Sequence, residues 1–388
     1  MTLAPDVLAE VVATRRDLHA HPELGFQEHR TSALVADRLR ALGYDVTTGI
    51  GGTGVVGVLK GGAPGKTIML RADMDGLPIE EENAKPYTSQ NRGVMHACGH
   101  DGHVAMLLGA ARVVAARRDD VAGTLCFLFQ PAEEGQGGAK AMVEDRVLER
   151  FGIERAYGLH LSSTHPVGQV GFRAGPMYAS SDSIEITIEG KGGHGAAPHL
   201  SVDPVYTAAQ FVVAVQQIVS RNVDPMEPAV VTIGAFNGGT THNVIPSRVR
   251  LMGTVRAFDA GVRSEMAGRI ERVLRGICDS SGATYTFDYL WRYPVTSNDA
   301  EQTAYVRALA ERTVGAASVA DVPALMGAED FSFFAERVPA CFYTIGAQGG
   351  EESSWPHHHA RFDIDERALE NGVKMMTAIA LDAPKHAP

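Results

Sequence analysis

The sequence predicts an α/β fold that is interrupted by a separate α+β domain. Short runs of β-branched and apolar residues, typical of buried strands, alternate with amphipathic helical patterns before residue 180 and again after residue 293. Between these regions, residues 183–190 alternate polar and apolar side chains, as an antiparallel strand with one solvated face does. The predicted elements of this middle region follow the order β-α-β-β-α-β, the ferredoxin-like arrangement. We therefore expect a discontinuous domain of residues 1–180 and 293–388, and an inserted domain of residues 181–292.

The individual elements follow from apolar periodicity and from Gly and Pro at the ends of each pattern. In the discontinuous domain, helices are predicted at residues 7–19, 31–42, 103–116, 300–314 and 365–380, and strands at 54–59, 67–71, 123–129, 155–161 and 340–346. In the inserted domain, helices are predicted at 204–220 and 263–280, and strands at 183–190, 229–236, 248–257 and 284–291. Sheets of this α/β class carry their chemistry at the carboxyl ends of the strands, so the residues that follow each strand are the first place to look for a site.

Composition limits the possible functions. The 388 residues are 45% hydrophobic and 21% charged, which is ordinary for globular proteins, and the formal net charge is −11. There is no basic stripe to bind nucleic acid and no run of 18 apolar residues to span a membrane. The four cysteines are widely spaced and do not form a disulfide framework, and the first residues lack the apolar stretch of a secretory signal. We therefore expect a cytoplasmic protein that binds neither nucleic acid nor a membrane.

A dense group of potential metal ligands lies at residues 95–103. These nine residues contain three histidines, one cysteine and one aspartate, together with two glycines that allow tight turns. Thiolate, imidazole and carboxylate groups are the ligands of transition-metal ions, so the group predicts a metal site. The pattern leaves open which of its members bind the ion.

Further polar residues follow the predicted strands. The strand at 67–71 leads to Asp73 and Asp75, the strand at 123–129 leads to Glu133 and Glu134, and His160 stands near the end of the next strand. Adjacent carboxylates point in different directions, so one can bind a metal while the other faces a reacting water, as hydrolysis requires. An exposed acidic turn is the alternative interpretation. Three consecutive histidines at 357–359 precede the last helix, and we expect at least one of them to be a ligand.

These residues belong to a series of motifs that resembles the M20 peptidases, and most closely their aminoacylase, hippurate-hydrolase and auxin-conjugate amidohydrolase branch. The motifs are RDLHAHPELGF at 16–26, RADMD at 71–75, HACGHDGH at 96–103, QPAEEG at 130–135, GLH at 158–160, GGHGAAPH at 192–199, NVIP at 243–246, GAEDF at 327–331 and FDIDE at 362–366. Because many motifs occur in the same order over nearly the whole chain, the resemblance is far more specific than any single motif.

The resemblance implies a zinc-peptidase-like catalytic α/β domain with an inserted dimerisation or lid domain. It also implies two divalent ions per subunit, which could be zinc, manganese, cobalt or nickel. The implied metal ligands are Cys98, His100, Glu134, His160 and His358. The implied catalytic residues are Glu133, the general base, and His194, which in relatives reaches the partner subunit's site and polarises the substrate carbonyl. The implied substrate contacts are Asn243 and Arg256, whose guanidinium suits a carboxylate.

The implied activity is hydrolysis of N-acyl amino acids, of the N-acetyl or N-benzoyl type, by a homodimer or tetramer. A dipeptidase, an N-acetyl-diamino-acid deacetylase and a metal-dependent binding protein without catalysis are the alternatives. Two positions depart from the family pattern. Asp73 stands where many relatives have a histidine ligand, which Cys98 would replace, and Ala360 stands where a proline is common, so the assignment of His358 among its neighbours is less direct.

Overall fold

The computed structural model describes residues 2–387, which form two compact units. The first unit contains residues 2–177, 297–323 and 330–387, and the second contains residues 178–296 and 324–329. The boundaries predicted from the sequence were 181 and 292, and the division into a catalytic and an inserted dimerisation domain stays a prediction. The second unit also includes a short later segment that the sequence pattern did not indicate.

The helices are α1 (Pro5–Ala20), α2 (His29–Ala41), α3 (His100–Ala115), α4 (Gly138–Glu144), α5 (Val147–Phe151), α6 (Pro204–Ala214), α7 (Ala260–Ser281), α8 (Ala300–Val314), α9 (Ser332–Ala335) and α10 (Ala368–His386). The strands are β1 (Asp45–Ile50), β2 (Gly54–Lys60), β3 (Ala63–Asp73), β4 (Ala122–Gln130), β5 (Arg155–Pro166), β6 (Val170–Phe172), β7 (Gly175–Tyr178), β8 (Ser181–Glu189), β9 (Gly193–His194), β10 (Ala229–Asn237), β11 (Val244–Ile245), β12 (Arg248–Ala257), β13 (Thr284–Tyr293), β14 (Thr296–Asn298), β15 (Val319–Asp321) and β16 (Ala340–Gln348). The predicted α/β class is confirmed. No helix of the described residues is long and apolar enough to cross a membrane.

The first unit is built on an eight-stranded sheet with the order β1-β2-β4-β3-β5-β16-β6-β15. The four strands β4, β3, β5 and β16 are parallel to one another. Helices α3 and α10 pack against β3 and β4. Almost every residue of β16 is buried, and so is the second half of β3, which explains why these strands read as continuous apolar runs. Asp73 pairs with Gln130 in register, so β3 and β4 end at one edge of the sheet.

The second unit contains an antiparallel sheet with the order β10-β12-β8-β13, on which α6 and α7 pack. Its elements follow the β-α-β-β-α-β order that the sequence predicts. Strand β8 buries every second residue, and its three isoleucines, Ile184, Ile186 and Ile188, lie in the core of the unit with Phe211 and Leu251. The period of two in the sequence therefore reflects one covered and one solvated face.

Three elements differ from the predictions in an instructive way. The helix predicted at 204–220 ends at Ala214 and is followed by a π-type turn at Ile218–Asn222, where the hydroxyl of Ser220 donates to the carbonyl of Gln216 and competes with the helical bonds. Strand β1 was missed because it is polar and largely exposed at the sheet edge. Strand β5 continues to Pro166, so His160 lies inside a strand and not near its end.

Candidate metal centre and active site

The turn before α3 places the first two candidate ligands. Gly99 has a φ of +91°, a conformation that glycine adopts at little cost, and it lets the chain enter α3 directly. The helix begins at His100, not at His103 as predicted, so His100 is a helical residue and not a loop residue. The backbone N–H of His358 donates to the carbonyl of Ala97 at 2.8 Å, which fixes the loop of the three histidines against this turn.

The five predicted ligands converge in the first unit. The Sγ atom of Cys98 lies 3.4 Å from Nε2 of His160, and Nε2 of His358 lies 3.3 Å from Oε1 of Glu134. Nε2 of His100 lies 4.0 Å from the same Glu134 oxygen. Ligand atoms of Cys98, His100 and His160 lie within 4.8 Å of one another, as do those of Cys98, Glu134 and His358. The structure thus brings the five side chains together, while their role as ligands stays a prediction.

Two of the histidines are oriented as metal ligands usually are. Nδ1 of His100 donates to the backbone carbonyl of Asp75 at 3.0 Å, and Nδ1 of His160 donates to the carbonyl of Leu161 at 2.6 Å. A proton on Nδ1 leaves the lone pair on Nε2, which in both residues faces the other candidate ligands. Nε2 of His100 is buried and has no hydrogen-bond partner in the described part of the chain. An acceptor nitrogen buried in this way, among thiol and carboxylate groups, fits a transition-metal ion.

Burial and neighbouring groups shift the pKa values of the candidate ligands. Burial, together with the nearby carboxylates of Glu134 and Glu133, raises the pKa of Cys98 well above its ordinary value. Burial and the neighbouring His103 lower the pKa of His160, so its imidazole is neutral and able to coordinate. Burial alone would raise the pKa of Glu134, but its bonds to His358 and Cys98 lower it. A metal ion would reverse the shift at Cys98 by stabilising its thiolate.

Asp73 is already paired with other side chains. Its Oδ2 accepts from Arg71 at 2.6 Å, and its Oδ1 accepts from Nδ1 of His103 at 2.6 Å, with all three side chains fully buried. Nε2 of His103 accepts the backbone N–H of Leu161 at 2.9 Å, so its proton must be on Nδ1. Burial would raise the pKa of Asp73, but the charge of Arg71 and the hydrogen bond from His103 hold it well below its usual range. His103 and Asp73 therefore hold the backbone of β5 at Leu161, the residue next to His160.

The remaining histidines of the two clusters take different positions. His96 is buried, and neither of its ring nitrogens has a hydrogen-bond partner among residues 2–387. His357 is half-buried, and its ring packs on His160 with the centroids 5.1 Å apart. His359 stacks on Trp355. His358 has a positive φ of 65°, a strained conformation of the kind found at functional sites, and is the one member of its triplet that joins a group of candidate ligands.

The carboxylate of Glu133 lies beside this centre on a loop that we call the acidic loop, residues 131–137. Ligand atoms of Glu133, Glu134 and His100 lie within 4.8 Å of one another. Glu133 is buried, and its Oε1 accepts the backbone N–H of Asp330 at 3.4 Å. The backbone N–H of Glu134 donates to Oδ2 of Asp75 at 3.0 Å. The two neighbouring glutamates therefore make different contacts, as the sequence pattern predicts.

Sequence reasoning missed several buried residues around the site. Arg71 donates to Oε1 of Gln130 at 2.8 Å and to Oδ1 of Asp330 at 3.1 Å, besides its bond to Asp73. Glu28 accepts the backbone N–H of Ala132 at the start of the acidic loop. Arg71 and Asp330 lie in motifs that the sequence displays, so they could have been suspected, whereas Glu28 gave no signal.

The three remaining predicted site residues belong to the second unit. His194 is exposed, its Nδ1 accepts the N–H of Ala196 at 3.0 Å, and its backbone pairs with Val244 between β9 and β11. The carbonyl of Asn243 accepts the N–H of Gly195 at 2.8 Å, so Asn243 and His194 lie close together. Arg256 is half-buried on β12 and donates to the carbonyl of Val255 at 3.0 Å. Their functions stay predictions.

Comparison with known proteins gives consistent matches. Residues 69–382 match the model of peptidase family M20/M25/M40. The chain is 40% identical to a hippurate hydrolase of Campylobacter jejuni over 98% of this chain and 99% of the relative. It is 46% identical to an N-acyl-L-amino acid amidohydrolase of Geobacillus stearothermophilus over 76% of this chain and 80% of the relative. It is also 39% identical to thermostable carboxypeptidase 2 of Saccharolobus solfataricus over 96% and 94% of the two chains.

A solved structure agrees in fold and in the kind of site. The YXEP protein of Bacillus subtilis, described as a dinuclear metal binding peptidase from the M20 family, superimposes with a TM-score of 0.84. The two sequences are 34% identical, and the match covers 98% of this chain and 99% of the other.

Proposed function

The chain belongs to peptidase family M20/M25/M40, whose members hydrolyse amide bonds, and we propose that it cleaves N-acyl amino acids of the N-acetyl or N-benzoyl type. The products would be a free amino acid and a carboxylic acid. The resemblance to the M20 peptidases predicted from the sequence is confirmed by the family match. The observation that carries the proposal is the convergence of five candidate metal ligands beside the carboxylate of Glu133.

The proposed centre holds two divalent ions, either zinc, manganese, cobalt or nickel. The residues that would bind them are Cys98, His100, Glu134, His160 and His358. When bound, such ions lower the pKa of a water molecule towards neutrality and polarise the carbonyl of the scissile amide. The fixed Nδ1 protons of His100 and His160 support this assignment, because they direct both Nε2 atoms into the centre.

Glu133 is the proposed general base. Its carboxylate would take a proton from the attacking water and deliver it to the amine that leaves. The N–H of Asp330 holds one of its oxygens, so its orientation is set before substrate binds. In the second unit, His194 would polarise the substrate carbonyl in the partner subunit's site, and Arg256 and Asn243 would bind the substrate, with Arg256 gripping its α-carboxylate. This assignment requires at least a homodimer. A tetramer is also compatible with it.

The general-base assignment is tested by Glu133→Gln. We expect turnover of N-acetyl and N-benzoyl amino acids to be lost while the metal content, measured by elemental analysis, stays at the wild-type level. The matched control is Glu134→Gln, which changes the adjacent carboxylate and should lower the metal content as well. Hydrolysis retained in the Glu133 variant would exclude it as the base.

The ligand assignment is tested by Cys98→Ser. Because the hydroxyl of serine does not ionise as a thiol does, we expect lower metal occupancy after dialysis. Cys126→Ser is the control, since Cys126 is a buried thiol on β4. Equal occupancy in the two variants would remove Cys98 from the ligand set.

The carboxypeptidase name of one relative favours a second candidate, cleavage of peptides by the same mechanism. A panel of N-acetyl amino acids, N-benzoyl amino acids, N-acetyl-diamino acids and dipeptides, assayed with cobalt or manganese, separates amidohydrolase, deacetylase and peptidase activities. Inertness towards the whole panel would favour a metal-dependent binding protein. We also propose a cytoplasmic location, supported by the free thiols of all four cysteines.

A further inference from the structure

The acidic loop begins with a residue in an unfavourable conformation. Ala132, directly before Glu133, has a φ of +50°, although an alanine side chain disfavours the left-handed region. Its side chain is fully buried, and its carbonyl accepts the N–H of Gly138 at 2.9 Å, which closes the loop. Such a conformation persists only when surrounding contacts hold it.

Glu28 contacts Ala132 directly. The Oε1 atom of this buried side chain accepts the N–H of Ala132 at 2.8 Å, and its Oε2 accepts the hydroxyl of Thr53 at 2.5 Å. Glu28 therefore links the segment before α2, the turn between β1 and β2, and the acidic loop. Burial raises the pKa of Glu28, so the carboxyl group is kept inside the protein at a cost.

Glu28 differs from Asp75 and Asp330, two other carboxylates that accept N–H groups in this region. Asp75 accepts the N–H of Glu134 but also lies 3.2 Å from Nδ1 of His100, and Asp330 accepts the N–H of Ala139 but also binds Arg71. Glu28 accepts its bonds from the hydroxyl of Thr53 and the backbone N–H of Ala132. A change at Glu28 can therefore alter the direction of Glu133 without directly disturbing a candidate ligand.

We propose that Glu28 is a positioning residue that holds Ala132 in its left-handed conformation and so directs the Glu133 carboxylate towards the reacting water. The inference rests on the proposed function, in which Glu133 is the general base. Without the bond from Glu28, Ala132 would relax to a negative φ and rotate the backbone that carries the base.

The test combines substitutions at both ends of the bond. Glu28→Ala should lower kcat about 10- to 100-fold, as a small misplacement of a catalytic group does, with little change in KM or metal content. Glu28→Gln should keep kcat within about threefold, because its amide oxygen still accepts the N–H of Ala132 and its amide nitrogen donates to Thr53. The double variant Glu28→Ala, Ala132→Gly should recover part of the loss, because glycine adopts a positive φ without the Cβ penalty.

A second readout does not depend on activity. Hydrogen exchange of the Ala132 amide should be slow in the wild type and in Glu28→Gln, and at least about tenfold faster in Glu28→Ala. If Glu28→Ala does not fold, Glu28→Asp replaces it, since its shorter carboxylate withdraws from Ala132, and the same rescue by glycine is expected.

Three results would overturn the inference: wild-type kcat in Glu28→Ala, no recovery in the double variant, or unchanged exchange of the Ala132 amide. An active Glu133→Gln enzyme, or a wild type that is inert towards the substrate panel, would instead refute the proposed function. In that case the exchange measurement still decides whether Glu28 holds Ala132.

Discussion

Replacing Arg15 by methionine is expected to destabilise the first unit far more than replacing its neighbour Arg16. Arg15 is fully buried on α1, where its Nε donates to Asp101 at 2.8 Å and its Nη2 donates to Asp363 at 2.7 Å. Asp101 is also fully buried, and the side chain of Asp363 is 6% exposed. Methionine keeps much of the volume but removes the shared guanidinium, which leaves Asp101 with His19 and Asp363 with the hydroxyl of Tyr87.

The magnitude follows from the cost of leaving a buried charge unpaired. Removing one partner of a buried ion pair costs about 3–5 kcal/mol. We apply that cost once, because Asp101 and Asp363 share one guanidinium and such effects are not additive. For a unit of this size, about 1 kcal/mol corresponds to roughly 2–4 °C, so Tm should fall by about 6–20 °C.

Arg16 is the matched control because it is the next residue of the same helix and also binds a carboxylate. Its Nε and Nη2 donate to the two oxygens of Glu366 at 2.8 and 2.6 Å, but its side chain is 50% exposed. Solvent screens such a pair, so Arg16→Met should cost only about 0–1 kcal/mol. Urea denaturation followed by circular dichroism measures both variants. A difference between them of less than about 1 kcal/mol would refute the reasoning from burial.

Three further predictions concern other parts of the chain. Burial and the nearby Arg15 would lower the pKa of His19, but its bonds to Asp101 and Glu81 together raise it. Stability should therefore fall as the pH rises from about 6.5 through the folded pKa, and in urea titrations at several pH values His19→Gln should show a weaker dependence of stability on pH. In the second unit, Asp182 is buried and accepts two bonds from Arg263 at 2.8 and 2.9 Å, so Asp182→Ala should cost about 3–5 kcal/mol in denaturation of the whole chain, and a neutral result would contradict the ion-pair argument. Phe127 is fully buried on β4, and Phe127→Ala should cost about 3–5 kcal/mol, with a loss below about 1 kcal/mol showing that the cavity refills.

The sequence predicted the parts of the structure that depend on periodicity. Strands β3, β4 and β5 were recognised because burial on both faces produces continuous apolar runs, and the alternation of β8 marked the change of sheet type. Since neighbouring parallel strands end at one edge, the acidic residues after β3 and β4 were expected to meet, as Asp75 and Glu134 do.

The sequence could not predict the contacts that join distant segments through single side chains. The bonds from Glu28 to Ala132 and from Arg15 to Asp363 depend on where helices and loops finally pack, and no local pattern encodes them. Short strands such as β6 and β15 were missed because three residues show no period. The resemblance suggested His358 among the three histidines, but composition could not. No local pattern indicated that His358 would have a positive φ.

The order of the proposed ligands along the chain has a consequence for how the protein is made. Four of them lie before residue 161, but His358 follows the whole segment that forms the second unit. A ribosome releases the chain from its N-terminus, so a nascent chain holds the thiol, two imidazoles and the carboxylate long before the last imidazole emerges. Full metal affinity can then arise only after the segment that forms the second unit has been synthesised, which makes ion capture a later step than the emergence of that unit.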